Sequence, residues 1–337
     1  MRRIVFIQGG GIGFDQEQSV RRILSAADVA IDWLIFPAGW AATSQGLPIL
    51  PEEMLRAVRE TGIALKTKLL APSSGSSTYG QPANANVLFR RALGLFASVR
   101  PVHNLAGLPS RFEGIDFLLV REITEDLYAS SEHEIVPGVV QSFKIVTEAA
   151  CLHFFRFAFE LAMRDGRTSI HCIHKANILK VADGLYLDCF RRVAGDFQNI
   201  EAKEMIVDNC CMQLVSRPQQ FEMLAAGNLY GDLLGDLGAG LVGGISATSA
   251  INHGAGIRVY EAVYGGAREM IGPDRANPLP LLLPALAMLK DIGESVAAAR
   301  IHSAVESVLK RAVMRTADLG GSAGTMEFTQ LIIDALA

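Results

Sequence analysis

The sequence has no basic excess: 31 Lys and Arg stand against 35 Asp and Glu, and the basic residues are scattered. A nucleic acid or an acidic membrane surface therefore has no electrostatic support as a partner. It also lacks an apolar run that could span a bilayer, because the longest, around Leu279 to Leu289, is broken by Pro280 and Pro284. The opening Met1-Arg2-Arg3 is followed only by Ile4 to Ile7 before a glycine run, short of a signal peptide's apolar core. There is no CxxC pair and no zinc spacing among Cys151, Cys172, Cys189, Cys210 and Cys211, and their odd number argues against a disulfide framework. These absences lead us to expect a soluble, cytoplasmic protein with reduced, mostly buried thiols. At 337 residues, half of them apolar, the chain can bury a substantial core in two modest domains or one large α/β unit.

Strand-like and helical patterns alternate through the first part of the chain. A strand is expected over Arg3 to Ile7, a helix over Gln16 to Ala27, a strand over Ile31 to Phe36, a helix over Pro51 to Thr61 and a strand over Ile63 to Lys66. That order predicts an α/β fold with a parallel sheet covered by helices. Gly9, Gly10, Gly11 and Gly13 hint at a dinucleotide fingerprint, but its third glycine would fall on Phe14, so a tight turn that lets a backbone or ligand come close fits better. A polar loop follows, Pro72 to Ala85, then a helix with Asn86, Arg90 and Arg91, then two strands ending in Arg100-Pro101 and in Arg121-Glu122. Arg90, Arg100 and Arg121, each beside an apolar run at an element end, read as one clamp for carboxylates. The polar patch Glu132 to Val140, with a Pro-Gly turn, reads as an arm. The long helix after it should be capped by Thr147 and stopped by Gly166, with Phe154, Phe155, Phe157 and Phe159 as core or subunit contact.

The most informative stretch is Asn228 to Gly244, which puts Asp232 and Asp236 four residues apart on one helix face. Two like charges so placed, with no Lys or Arg among them, call for a cation over the pair. Carboxylates without His or Cys nearby suit Mg²⁺ or Mn²⁺. Three more strands, each ending at a polar group, bring Lys175, Asp208 and the Asp232/Asp236 helix toward the carboxyl ends of a sheet, where α/β proteins bind ligands. One lysine and three aspartates on one rim could serve acid–base chemistry beside a metal.

His174 to Lys180, Val207 to Val215, Asn228 to Gly244 and Asp318 to Thr329 resemble the isocitrate and 3-isopropylmalate dehydrogenase family of metal-dependent oxidative decarboxylases, and the match runs from about Arg3 to the C-terminus. The resemblance implies a large discontinuous domain, 1–95 with 244–337, around a smaller central domain, 96–243, and a cofactor site unlike the common dinucleotide fold. It implies NAD, Mg²⁺ or Mn²⁺ and a small hydroxy-polycarboxylate substrate. Tyr128 and Lys175 would be catalytic, Arg90, Arg100 and Arg121 would hold the malate part with Asn84 and Asn86 nearby, and Asp208, Asp232 and Asp236 would bind metal. Glu261, Tyr264, Gly265, Gly266, Ala267, Glu269 and Asn277 would face the cofactor. A homodimer sharing its sites, or a tetramer of such dimers, would be the working form.

Four positions depart from the family's pattern. The cofactor-loop histidine is Tyr264, a threonine pair is Leu70-Ala71, the asparagine after the third arginine is Ile123, and a substrate-helix serine is Asn84 while Asn86 is kept. Glu269 favours NAD, because a carboxylate accepts from ribose hydroxyls and repels a 2′-phosphate, with the adjacent Arg268 as the counter-argument. Asn84 and Asn86 favour a polar or small group on C3 over a branched alkyl chain, since unpaired amides are costly. An isocitrate-like substrate is therefore expected, with a non-catalytic regulatory subunit and a 3-isopropylmalate enzyme as the alternatives.

Overall fold

The computed structural model describes residues 2–71, 84–129 and 132–336. All of the polar loop except Asn84 and Ala85 lies outside them. The strands are β1 (Arg2–Gln8), β2 (Ile31–Pro37), β3 (Ile63–Lys66), β4 (Ala97–His103), β5 (Asp116–Glu122), β6 (Glu132–Val136), β7 (Val139–Ser142), β8 (Ser169–His174), β9 (Glu201–Ile206), β10 (Met223–Ala226), β11 (Ala250–Gly254) and β12 (Ile257–Glu261). The chain divides into two compact units. One, the terminal unit, joins Met1–Leu93, Asn104–Arg111 and Val242–Ala337; the other, the central unit, joins Gly94–His103 and Phe112–Leu241.

In the terminal unit the strand order is β2-β1-β3-β12-β11. The first three and β12 run parallel, while β11 turns back antiparallel on β12. Ala255-Gly256 makes that hairpin, with Gly256 at φ 70°, a backbone that a side chain would strain. Ile4 to Ile7 are fully buried, so this strand reads as a continuous apolar run because both its faces are covered. Helix Gly13–Ala26 packs on helices Leu279–Asp291 and Thr325–Asp334. Leu279–Asp291 accommodates Pro280 in its first turn and Pro284 inside, and no described helix is long and apolar enough to cross a membrane.

The central unit has the order β4-β5-β10-β8-β9, parallel except for the antiparallel β4–β5 pair. Helix Glu148–Arg164 starts where expected: the Thr147 side chain accepts from Ala150 N–H, and Gly166 past its end takes φ 67°. Its phenylalanines fill the unit's own core. Phe154, Phe155 and Phe159 are buried with Phe190, Cys151, Cys172 and Met223, and Phe155 meets Phe190 edge-on at 5.3 Å. The stripe therefore gives no support to a subunit contact. Neither does the apolar end of helix Asn228–Leu241, where Gly238 packs on Val102 and Phe117. Exposed apolar side chains lie on helix Val207–Ser216 at Met212 and Val215, on helix Asn228–Leu241 at Leu233, and on the arm. The arm forms the hairpin β6–β7, exposed along its whole length, with Ile135, Val136, Val139 and Val140 uncovered.

On β8, His171 is 4 % exposed, its Nδ1 has no hydrogen-bond partner and its ring meets Phe221 at 4.9 Å. Burial, then the charge of Lys203, lowers its pKa to about 4. A histidine depressed in this way binds fewer protons folded than unfolded, so the stability it contributes above about pH 6.5 is lost as pH falls toward about 4. His174, lowered by burial as well, adds to the same slope. We expect the urea midpoint to drop between about pH 7 and pH 5, and His171→Leu to shrink that drop. An unchanged pH dependence in the variant would show that the ring does not titrate there.

Candidate functional site

One charge cluster of the central unit is built on two neighbouring strands. Arg100 on β4 and Arg121 on β5 fall on the same sheet face, because Ser98 pairs with Arg121 and Arg100 lies two residues on. Both are buried, and a guanidinium cannot escape burial by losing its proton. Helix Asn228–Leu241 lies over them and supplies what they need. Arg121 Nη1 donates to Asp232 Oδ1, and its Nε and Nη2 donate to Asn228 Oδ1 at 2.9 and 2.7 Å. Arg100 Nη2 reaches Asp232 Oδ1 at 3.3 Å, and its Nη1 lies 3.6 Å from Asp236 Oδ1. In this chain, then, the cations over the aspartate pair are two arginines. Arg100 also proves to be mid-strand rather than at an element end.

Close approach of helix and arginines depends on glycine. A Cβ at Gly231 would lie 2.6 Å from Arg121 Cγ, and one at Gly235 would lie 2.2 Å from Arg100 Nη1. Tyr128 completes the cluster, its hydroxyl donating to Asp232 Oδ2 and its ring facing the Arg121 guanidinium at 4.9 Å. Burial first, and then the hydrogen bond to Asp232, push the Tyr128 phenol above its ordinary value, with Arg121 opposing. It stays protonated at neutral pH. Asp232 and Asp236 keep solvent-facing surface, 38 % and 66 % of their side chains, so oxygen donors remain available to a ligand.

Lys175 follows β8 and Asp208 opens helix Val207–Ser216, and the two form an ion pair. The bond from Lys175 holds the exposed Asp208 carboxyl below its usual range. Parallel β8, β9 and β10 bring Lys175, Asp208 and the Asp232/Asp236 helix to one carboxyl edge of the sheet, as the sequence predicts. There they form two pairs with different partners, and no three ligating side chains converge on a metal among the described residues. The donors are still carboxylates alone, which suits Mg²⁺ or Mn²⁺ with further oxygens supplied from outside this chain's own residues. Cys211, beside them on the helix, is the partly exposed one of the five free thiols.

The terminal unit holds a second cluster. Lys66, fully buried on β3, lies 2.9 Å from Glu261 Oε2 at the end of β12 and donates to Asn86 Oδ1 at 3.1 Å. Arg90 Nη2 reaches Glu261 Oε1 at 3.2 Å. Burial would raise the Glu261 carboxyl, but Lys66 and Arg90 outweigh it and hold the group well below the carboxylate range. Arg90 is thus committed to Glu261 within this unit, while Arg100 and Arg121 serve the central one. Asn84 caps helix Ala85–Ala92, accepting from Asn86 N–H at 2.9 Å and from Asn86 Nδ2 at 3.0 Å, and Asn86 Nδ2 also reaches Leu69 O at 3.1 Å. The Asn86 amide and the Asn84 carbonyl already have partners, so these groups would not stand unpaired against an alkyl substituent.

Tyr264 and Asn277 line a pocket of about 150 Å³ with Ile12, Ile271, Arg275, Ala276, Ala317 and Asp318. Asn277 is spent internally, giving its amide N–H to Asp318 at 2.8 Å and accepting from Leu279 N–H at 2.9 Å, so it shapes the pocket rather than offering a free amide. Gly265 and Gly266 are explained by backbone approach. A Cβ at Gly265 would meet Lys68 at 2.5 Å, and the Gly266 carbonyl accepts from Ile12 N–H at 3.1 Å. The same contact accounts for the early glycines, since Gly11 faces Gly266 O and Gly9 faces Lys68 O. Ala267 precedes the short helix Arg268–Ile271, on which Glu269 is exposed, and Arg268 is held by Asp15 at 2.8 Å. Lys66, Asn228, Gly231 and Gly235 escaped sequence reasoning. The glycines had a signal, a four-residue spacing that keeps step with the aspartates.

Comparison with known proteins bears on both clusters. The family profile described as isocitrate/isopropylmalate dehydrogenase matches residues 3–335. An Arabidopsis thaliana protein named mitochondrial NAD isocitrate dehydrogenase catalytic subunit 5 is 40 % identical over 329 residues, covering 97 % of this chain and 87 % of its own. A Dictyostelium discoideum protein, named as a regulatory subunit of mitochondrial NAD isocitrate dehydrogenase, is 37 % identical, covering 99 % of this chain and 90 % of its own. The crystal structure of isocitrate dehydrogenase from Methylococcus capsulatus superposes with a TM-score of 0.91 at 36 % identity, covering 100 % of this chain and 99 % of its own.

Removing one partner of a buried ion pair costs about 3 to 5 kcal/mol, because the other charge stays behind without compensation. Lys66→Met leaves Glu261 with Arg90 alone, so urea unfolding should show a loss of that order. A loss under about 1 kcal/mol would mean that Arg90 suffices to neutralise Glu261.

Proposed function

The chain belongs to the isocitrate/isopropylmalate dehydrogenase family, and from that premise we propose that it is a catalytic member, oxidising and decarboxylating isocitrate with NAD. The observation that carries the reading is the convergence of Tyr128, Arg100 and Arg121 on Asp232, with Asp236 beside them. It combines anion-binding cations, a protonated phenol and solvent-facing carboxylates in one place. The 37 % identity to a protein named as a regulatory subunit shows that overall similarity does not separate the two roles. Retention of Tyr128, Lys175, the three aspartates and all three arginines favours catalysis.

When bound, NAD would accept the hydride from C2 and a Mg²⁺ or Mn²⁺ held by Asp232, Asp236 and Asp208 would polarise the 2-oxygen. Arg100 and Arg121 orient the substrate carboxylates. Lys175 takes the proton of the 2-hydroxyl as the C2 hydride leaves. After the C3–carboxylate bond breaks and CO₂ departs, Tyr128 delivers a proton to C3. Arg268 is tied to Asp15, which leaves Glu269 to set the preference for NAD.

No three metal-ligating groups gather among the described residues of one chain, so a second chain, identical or related, would complete the site by supplying Lys175 and Asp208. A homodimer is the simplest such assembly, and the exposed β6–β7 hairpin fits an arm that joins it. Five free cysteines fit a reducing compartment, the cytoplasm in this reading. The two curated relatives above are mitochondrial proteins, so cell fractionation decides that point.

The purified chain should couple CO₂ release to NADH formation with isocitrate and Mn²⁺. Lys175→Met should keep the fold and lower kcat by about 10² to 10⁴, the usual contribution of a general acid or base. Asp232→Asn should weaken Mn²⁺ binding and turnover together. Absence of metal-dependent NADH formation by the unaltered chain, on any 3-substituted malate, would transfer the reading to a regulatory subunit.

A further inference from the structure

Next to the Tyr128 cluster, sharing Asn228 with it, the central unit holds a small pocket of about 20 Å³ in which Glu122, Glu125, Asp126 and Asp183 surround one cation, Lys144. Lys144 Nζ lies 2.6 Å from Asp183 Oδ1 and 3.7 Å from Asp126 Oδ1, and it stacks over the Tyr230 ring at 4.6 Å. Both aspartates are almost fully buried. What makes the cluster more than a structural ion pair is what each aspartate holds with its other oxygen. Asp183 Oδ2 accepts from the backbone N–H of Lys175 at 2.7 Å. Asp126 Oδ2 accepts from Leu229 N–H at 2.9 Å, in the first turn of the helix that carries Asp232 and Asp236. Asp126 Oδ1 accepts from Leu127 N–H at 2.9 Å, in the turn that presents Tyr128.

The backbone at Asp126 is itself a sign that this link is enforced. The residue takes φ 69°, a left-handed conformation that a side chain disfavours. Such strain persists where surrounding contacts over-determine it. Here those contacts are the two accepted N–H groups, Lys144, and the Asp126 N–H bond to Ile145 O at 2.9 Å.

The geometry points to Lys144 as a positioning residue that, through Asp183 and Asp126, holds the Tyr128 turn and the metal-carboxylate helix of one site together with the strand end that lends this chain's Lys175 to the site shared with a second chain. The inference rests on the catalytic reading and adds a residue with no direct role in the chemistry. Lys144 acts by neutralising two buried carboxylates that would otherwise repel one another and move apart. A displacement of about 1 Å in reacting groups can cost on the order of 10²-fold in rate.

The test compares the unaltered protein with Lys144→Met, Lys144→Arg and Asp183→Asn, reading kcat, KM for isocitrate with Mn²⁺ in excess, and thermal midpoint. We expect Lys144→Met to lower kcat about 10- to 100-fold with KM within about threefold, because Arg100 and Arg121 are held by their own strands. Lys144→Arg should recover kcat to within about threefold of the unaltered protein. A purely structural lysine would lower the thermal midpoint of Lys144→Met while leaving turnover by the folded enzyme unchanged, and that result overturns the inference. Should Lys144→Met fail to fold, Asp183→Asn decides, with a tenfold or greater fall in turnover in support and unchanged turnover against. Failure of the catalytic reading looks different: the unaltered protein itself would show no turnover, and the inference would fall with it.

Discussion

Two guanidinium groups that cannot shed their charge set the terms for the central unit. Arg100 and Arg121 sit on adjacent strands under a helix, and each must find oxygen partners at the spot where the fold puts it. The helix answers with Asn228 and Asp232 one turn apart, and with Gly231 and Gly235 where side chains would collide with the arginines. Tyr128 joins through the same Asp232. Acidic and aromatic groups that chemistry would use are therefore held by the pairing that burial of the arginines demands. Preorganisation of this kind costs no rearrangement during a reaction.

The terminal unit solves a related problem the other way round. There a buried carboxylate, Glu261, is the fixed charge, and Lys66 and Arg90 close around it. All three side chains are largely hidden, so the triad braces helix Ala85–Ala92 against the end of β12 rather than offering charge to solvent. In the central unit the arginines are hidden but Asp232, Asp236 and Asp208 keep exposed oxygens. Which partner of a pair reaches water separates bracing from binding here.

Much of this was legible in the residues. Alternating apolar runs placed β1, β2 and β3 and their helices, since strands buried on both faces and helices buried on one leave different periods. The Thr147 cap and Gly166 stop were readable because capping is local chemistry. The Asp232/Asp236 spacing revealed a shared face, but not which cation answers it, because the arginines come from strands over a hundred residues earlier in the chain. The same long range hid Lys66, which looks like any strand-end lysine until β12 brings Glu261 beside it. The phenylalanine stripe was legible as core or subunit contact, and core is the outcome, because periodicity shows that a face is apolar and only packing shows against what. The local cap that ties Asn84 to Asn86 was not legible, because amides used in this way look the same in a sequence as amides free for a ligand.

Gly231 and Gly235 also govern how this protein could be made more heat-resistant. Replacing a helical glycine by alanine ordinarily gains about 0.5 to 1 kcal/mol by restricting the unfolded chain. At these two positions the sign reverses, since the methyl group would enter a guanidinium and its stem. Gly240 on the same helix and Gly184 on helix Ala182–Ala194 have open space where a Cβ would point, and neither has a positive φ. An engineer seeking thermostability would stiffen the chain at Gly184 and Gly240 and leave the two arginine seats untouched.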